Sequence, residues 1–268
     1  MLPILIRTIK DKKVSLIIYC VAAVLIIWMY IGMFPTIQEE AESFNELIKN
    51  YPESFMKAFG MDEQITFDKI ENFLSIEHFS LVWPIMMIFF MIALATFGLA
   101  TEIEKGTAEI MLSRPVSRVE IFLARYLAGI IILLIFTLVS VYSLIPLAEL
   151  HDIDYVLTNY NTMAMLGLLF GWAVFSMAMM FSAIFSEKGR VYMVGGMTIV
   201  GMYIANLAAS LLEKVENLKY ISFFHYYDYQ AALVENHINE LSIYVFVGVA
   251  VVCTSIGLIW FNKRDIAV

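Results

Sequence analysis

Glu102-Ile-Glu-Lys-Gly-Thr-Ala-Glu-Ile-Met-Leu-Ser-Arg-Pro-Val-Ser-Arg-Val-Glu120 is a charged interruption between two apolar runs, 81–101 and 119–147. Each run is long enough to cross a bilayer, which takes about 20 mainly apolar residues. The interruption is punctuated more heavily than a simple linker requires. Thr101 and Glu104 have capping-box spacing, and Ser117 and Glu120 repeat it directly before Ile121. Gly106 and Thr107 break the first helical segment and can start a second. Pro115 stops the middle segment, Ala108 to Ser113. The order is helix end, short helix, stop, helix start. It predicts a small helix along the membrane surface with Arg114 and Arg118 beside it.

The same alternation of apolar runs and charged breaks extends over the whole chain. Of its 268 residues 61% are hydrophobic and 16% charged, and the mean hydropathy is +0.79. Soluble domains run near 45–50% apolar with roughly a quarter charged. The pattern predicts an all-α membrane protein with a single domain, 1–268, and six transmembrane helices at about 14–34, 81–101, 119–147, 161–185, 191–212 and 241–261. No Asp, Glu, Lys or Arg falls in the middle of any of them. Glu120 and Arg125 enter only the first turns of the third, where long side chains can reach back to the interface.

Orientation follows from the basic residues of the short connections. Arg7, Lys10, Lys12, Lys13, Lys105, Arg114, Arg118, Arg125, Lys188, Arg190, Lys263 and Arg264 fall on one side, against Lys49, Lys57, Lys69, Lys214 and Lys219 on the other. Both termini and the segment 102–120 are therefore expected in the cytoplasm. Residues 1–13 place Leu2, Ile4, Leu5, Ile6 and Ile9 among basic residues and read as an interfacial helix. No small-residue cleavage site follows, so the first span is expected to be an uncleaved anchor.

Residues 35–80 form an acid-rich external loop that accounts for most of the net charge of −8. Ile37, Ala41, Phe44 and Ile48, then Ile70, Phe73 and Leu74, recur at helical spacing and predict two external amphipathic helices between spans one and two. Gly167 and Gly171 in span four, and Gly195 and Gly196 in span five, are candidates for close helix packing. The external segment Tyr220-Ile-Ser-Phe-Phe-His-Tyr-Tyr-Asp-Tyr229 reads as an aromatic belt at the outer interface. Cys20 and Cys253 lie inside spans and read as small buried hydrophobes.

The chemistry that is missing narrows the function. No glycine is followed by lysine, so the chain has no Walker A loop for ATP phosphates. HExxH and GxSxG are absent, and His78, His151, His225 and His237 are scattered. No ionisable group is placed mid-membrane to relay protons or hold a driving ion. The chain is expected to be non-enzymatic, to hold no metal or cofactor, and to take its energy from elsewhere.

The pattern Glu102-x-Glu-x-Gly-Thr-Ala-Glu-x-x-Leu-Ser-Arg-Pro-Val-Ser-Arg-x-Glu120 resembles the loop after the second span in bacterial ABC transporter permeases of the type-2 exporter family. The ending Phe261-Asn-Lys-Arg-Asp-Ile266 is similar to the usual finish of that family, and the basic N-terminus and six spans agree with its layout. The resemblance implies a cytoplasmic coupling helix between spans two and three that docks on a separate cytoplasmic ABC ATPase, which binds ATP and Mg. It also implies pairing with a second permease chain, identical or related, in the bacterial cytoplasmic membrane. Carried onto this sequence, Glu102, Glu104, Gly106, Thr107, Glu109, Ile110, Met111, Leu112, Arg114 and Arg118 form the coupling segment. Ile110, Met111 and Leu112 would fill an apolar pocket and the charges would set register.

The expected function is therefore the transmembrane subunit of an ATP-driven exporter of a hydrophobic or amphipathic substrate, a peptide toxin or antimicrobial peptide preferred. Alternatives are a non-translocating immunity or sensor component, or an ATPase-independent channel or secondary transporter. Membrane lipid is an expected partner; nucleic acid is not.

Overall fold

The computed structural model describes residues 1–41, 67–106 and 116–264. Helices and the turns between them make up the described residues. Five helices are long and apolar enough to cross a membrane, and a bent pair makes a sixth. By helix length and hydropathy the chain is a multi-pass membrane protein.

The first helix, α1 (Leu2–Glu39), runs for 38 residues without interruption. The N-terminal stretch expected as a separate interfacial helix is instead the opening turns of α1. Residues 9–15 contain no glycine or proline to end a helix, and Arg7 pairs with Asp11 one turn on at 3.7 Å. Lys12 Nζ lies 3.6 Å from the centroid of the Phe97 ring. That cation–π contact draws the start of α1 against the end of the second span.

The second span is not one straight rod. It comprises α2 (Ile70–Leu74), a π-helical turn (Ser75–Phe79) and α3 (Val82–Gly98), with a 44° bend before α3. The 17 residues of α3 reach about 25 Å, short of a hydrocarbon core of about 30 Å. Pro84 is the third residue of α3, where its missing N–H leaves no hydrogen bond unmade. The second predicted amphipathic helix does exist as α2, but it is not laid on the membrane face. All five of its residues, including Glu71 and Asn72, are buried. Phe73 is held by the rings of Tyr30, Phe34 and Phe67, with centroids 5.9, 5.7 and 6.2 Å away. Aromatic packing on this scale outweighs the interfacial preference of a single turn. The first predicted external helix, 37–48, extends into 42–66, outside the described residues.

The chain continues through α4 (Ala100–Glu104), α5 (Arg118–Tyr142), α6 (Leu144–Leu150), α7 (Leu157–Ile184) and α8 (Lys188–Leu211). After a 3-10 segment (Glu213–Ile221) come α9 (Phe223–Tyr226), α10 (Tyr229–Leu233) and α11 (Glu240–Lys263). The helices alternate in direction. One end of the bundle therefore carries the start of α1, α4 and the turn between α7 and α8. The other carries α2, α6, α9 and α10.

The fourth span, α7, is the centre of the bundle. Of its most apolar stretch 67% is buried inside the protein, against 17% for α1 and for α8. Its most extensive packing is with α11 and α3. Small residues make those approaches possible. A Cβ on Gly167 would lie 2.5 Å from Trp83 Cη2, and one on Gly171 would lie 2.6 Å from Leu133 Cδ1. A Cβ on Gly195 of α8 would meet Ile92 at ordinary contact distance, but one on Gly196 would meet nothing within 4 Å, so the packing role expected of Gly196 is not realised among the described residues. The closest approach is elsewhere: a Cβ on Gly129 of α5 would come 2.0 Å from Phe175 Cζ.

Trp83 cannot give way easily. It is fully buried, donates from Nε1 to Ser140 Oγ at 2.9 Å, and stacks at 4° on Tyr227, 6.2 Å between centroids. Gly167→Leu is therefore expected to overpack this site and cost about 1–3 kcal/mol. Thermal unfolding of the purified protein in detergent measures it. Gly196→Leu is the control, expected to leave the melting temperature unchanged.

Tyr227 also shows that the segment 220–229 is more than an aromatic belt. Phe223, Tyr226 and Tyr227 are buried. Tyr227 lies 4.7 Å from Phe170, and Phe223 lies 6.0 Å from Phe246. The segment turns inward and closes its end of the bundle, because its rings find aromatic partners on α3, α7 and α11. Only its edges, such as Tyr220, stay exposed.

Candidate functional site

The segment singled out in the sequence leaves the bundle at the end of α3 and returns at the start of α5. Its middle, 107–115, lies outside the described residues. Thr107, Glu109, Ile110, Met111, Leu112 and Arg114, with the expected helix Ala108 to Ser113, all fall there. What the structure describes is how the two ends of the segment are held.

The outgoing end begins with a break. At Leu99 the backbone leaves helical geometry (φ −133°, ψ −57°), which frees carbonyls at the end of α3 and N–H groups at the start of α4. Side chains from α4, α5 and α7 meet several of them. The Thr101 hydroxyl donates to Thr96 O at 3.1 Å, and Ser182 Oγ of α7 accepts the Ala100 N–H at 3.0 Å. The Arg125 guanidinium of α5 donates to Gly98 O and to Glu102 Oε2.

Two sequence expectations are corrected here. Thr101 does not cap a helix with Glu104; it lies inside α4, whose N-cap is Leu99, and its hydroxyl is spent on Thr96. Arg125 does not reach out to the interface. Its side chain is 4% exposed and paired with Glu102, because the break at Leu99 places a carbonyl and a carboxylate within the span of one planar fork. A periodic signal was present. Ile121, Phe122, Arg125 and Gly129 share one face of α5, and that face is buried.

Glu104 points the other way, to α8. It accepts the Lys188 N–H at 2.7 Å and approaches Lys188 Nζ at 3.7 Å. A carboxylate at a helix N-terminus meets both the unpaired N–H groups and the positive end of the helix dipole. The ion pair itself is largely exposed and contributes under about 1 kcal/mol. Its value is positional. Gly106 then turns the chain with φ +70°, a conformation that costs glycine little and other residues more.

The returning end is as firmly set. Ser117 and Glu120 form the predicted capping box: Ser117 Oγ accepts the Glu120 N–H at 3.2 Å, and Glu120 Oε2 accepts the Ser117 N–H at 3.1 Å. The Arg118 guanidinium donates to Arg264 O just beyond α11. Arg264 in turn donates to Ala183 O at 3.0 Å and to Ser186 Oγ at the end of α7. Both arginines face carbonyl-rich helix ends, the favourable location for a cation.

Glu102, Glu104, Gly106 and Arg118 are thus brought to one end of the bundle. Arg125, Ser182, Lys188 and Arg264 are the members that spacing did not reveal. Together they tie the two stems of 107–115 to α5, α7, α8 and α11. Among the described residues no three His, Cys, Asp or Glu side chains converge to hold a metal ion.

The chain belongs to the family described as Protein of unknown function (DUF2705), whose model matches residues 41–267. No curated protein matches it.

Proposed function

We propose that this chain is the transmembrane subunit of an ATP-driven exporter of the type-2 ABC permease kind, with 107–115 as the segment that receives force from a cytoplasmic ATPase. The observation that carries the reading is the double mounting of that segment. A loop whose only task is to connect two spans does not need its stems bonded to four other helices. A segment that must pass a push from a docked protein into the bundle does, since a load on a loose loop is lost in loop motion.

The charge asymmetry supports placing this end in the cytoplasm. The absence of a Walker A loop from the sequence supports a separate chain as the ATP- and Mg-binding subunit. The first and fifth spans are the least buried, which favours them as the surfaces shared between a second permease chain and lipid. The substrate we propose is hydrophobic or amphipathic, a membrane-active peptide preferred.

The test is co-expression with a cytoplasmic ABC ATPase from the same genome, affinity purification of this chain, and reconstitution into vesicles. The expected result is a stable complex that moves a fluorescent amphipathic peptide only with ATP and Mg. Peptide movement by the permease alone, or an ATPase that never co-purifies and has no effect, overturns the reading.

A further inference from the structure

At the end of the bundle opposite the mounted segment, a cavity of about 350 Å³ opens between the approach to α2, the start of α7 and the residue after α10. Asp68, Lys69, Glu71, Asn72, Val156, Asn159 and Val234 line it. Its size falls in the range of small-molecule sites. It is separate from the surface assigned to the ATPase.

The decisive group is Glu71. Its residue is only 4% exposed. One carboxylate oxygen, Oε1, accepts the Val156 N–H at 2.7 Å, which closes the start of α7. The same side chain lines the cavity. A carboxylate this buried is costly unless a cation or donors complete it. Next to Asn159, Tyr160 is fully buried, and its hydroxyl has no hydrogen-bond partner among the described residues. Asn159 is positioned by its own amide, which donates to Leu233 O at 2.8 Å. Val156 and Val234 supply apolar wall beside these groups.

We infer that this cavity binds an ammonium or guanidinium group on a short apolar stem, with the Glu71 carboxylate as the charged acceptor and Val156 and Val234 against the stem. A monovalent organic cation suits the lining better than a metal ion. The carboxylates of Glu71 and Asp68 are offset in part by Lys69, and no three-carboxylate or histidine cluster is present among the described residues. The chemistry is shared by free alkylamines and by the basic side chains of a peptide. The inference concerns ligand binding and stands whether or not the chain transports.

The test is calorimetric titration of the purified protein in nanodiscs with n-propylguanidinium, with its neutral isostere n-propylurea, and with a blocked Gly-Arg-Gly tripeptide. The guanidinium is expected to saturate one site and the urea to bind at least about tenfold more weakly, the scale of one charge-assisted hydrogen bond. Glu71→Gln should lower guanidinium affinity by a similar factor while leaving the melting temperature near that of the parent. The glutamine carbonyl can still accept the Val156 N–H. Asp68→Asn, at the exposed rim, provides a second variant with little risk to folding and a severalfold loss. Tighter binding of the tripeptide points to a peptide side chain as the natural occupant, and tighter binding of propylguanidinium to a free amine. No saturable binding, equal affinity for the urea, or affinities unchanged in both variants overturns the inference.

Discussion

Arg125→Ala is expected to remove most of the folded protein. The side chain is 4% exposed, and it donates to both Gly98 O and Glu102 at the break between α3 and α4. Alanine takes the guanidinium away from a carbonyl that has lost its helical partner and from a carboxylate drawn towards the interior. Breaking a buried pair from one side costs about 3–5 kcal/mol, a large share of the roughly 5–15 kcal/mol that holds a typical domain. Arg125→Lys should be intermediate, because one ammonium cannot reproduce the two-pronged geometry. Glu102→Gln should be milder still, since the amide oxygen can accept from Arg125. Monodisperse yield on gel filtration and thermal unfolding in detergent report the order. If the Ala variant matches the parent in both, the break at Leu99 is not held by Arg125.

Charge reversal inside the mounted segment is expected to do the opposite, sparing the fold and abolishing function. Glu109→Lys and Arg114→Glu leave Arg125, Glu104, Ser117 and Arg118 untouched, so membrane insertion and the melting temperature should stay at parental values. Under the proposed function these charges set the register of docking on the ATPase, and reversing one places like charges together at a cost of several kcal/mol. ATP-dependent peptide movement should fall by at least about tenfold, with ATP hydrolysis no longer responsive to peptide. Parental transport and ATPase binding in both variants would sink the assignment of this segment. The contrast with Arg125 separates the mount from the part it carries.

Much of the architecture was legible because it depends on local composition. α7, α8 and α11 end within two residues of the runs 161–185, 191–212 and 241–261, whereas α1 outruns 14–34 at both ends, from Leu2 to Glu39. The Ser117–Glu120 capping box formed because its partners are three residues apart on one chain. Gly106 turned as expected because only its own backbone is involved. Thr101–Glu104, with the same spacing, failed. Its helix begins at a break imposed by α5 and α7 through Arg125 and Ser182, and spacing alone cannot see those neighbours.

The sequence by itself therefore determined that this is a helical membrane protein, where most of its long helices run, and that a capping box opens the third span at Ser117. Hydropathy and capping act over one helix or one turn, so a linear reading captures them. Only the tertiary structure decided that Arg125 faces inward, that α2 is buried with Glu71 against a cavity, and that Tyr227 plugs the bundle against Trp83 and Phe170. In each case a group that would prefer water or the interface is held inside by partners 23 to 144 residues away in the chain. Their proximity arises only when the helices pack.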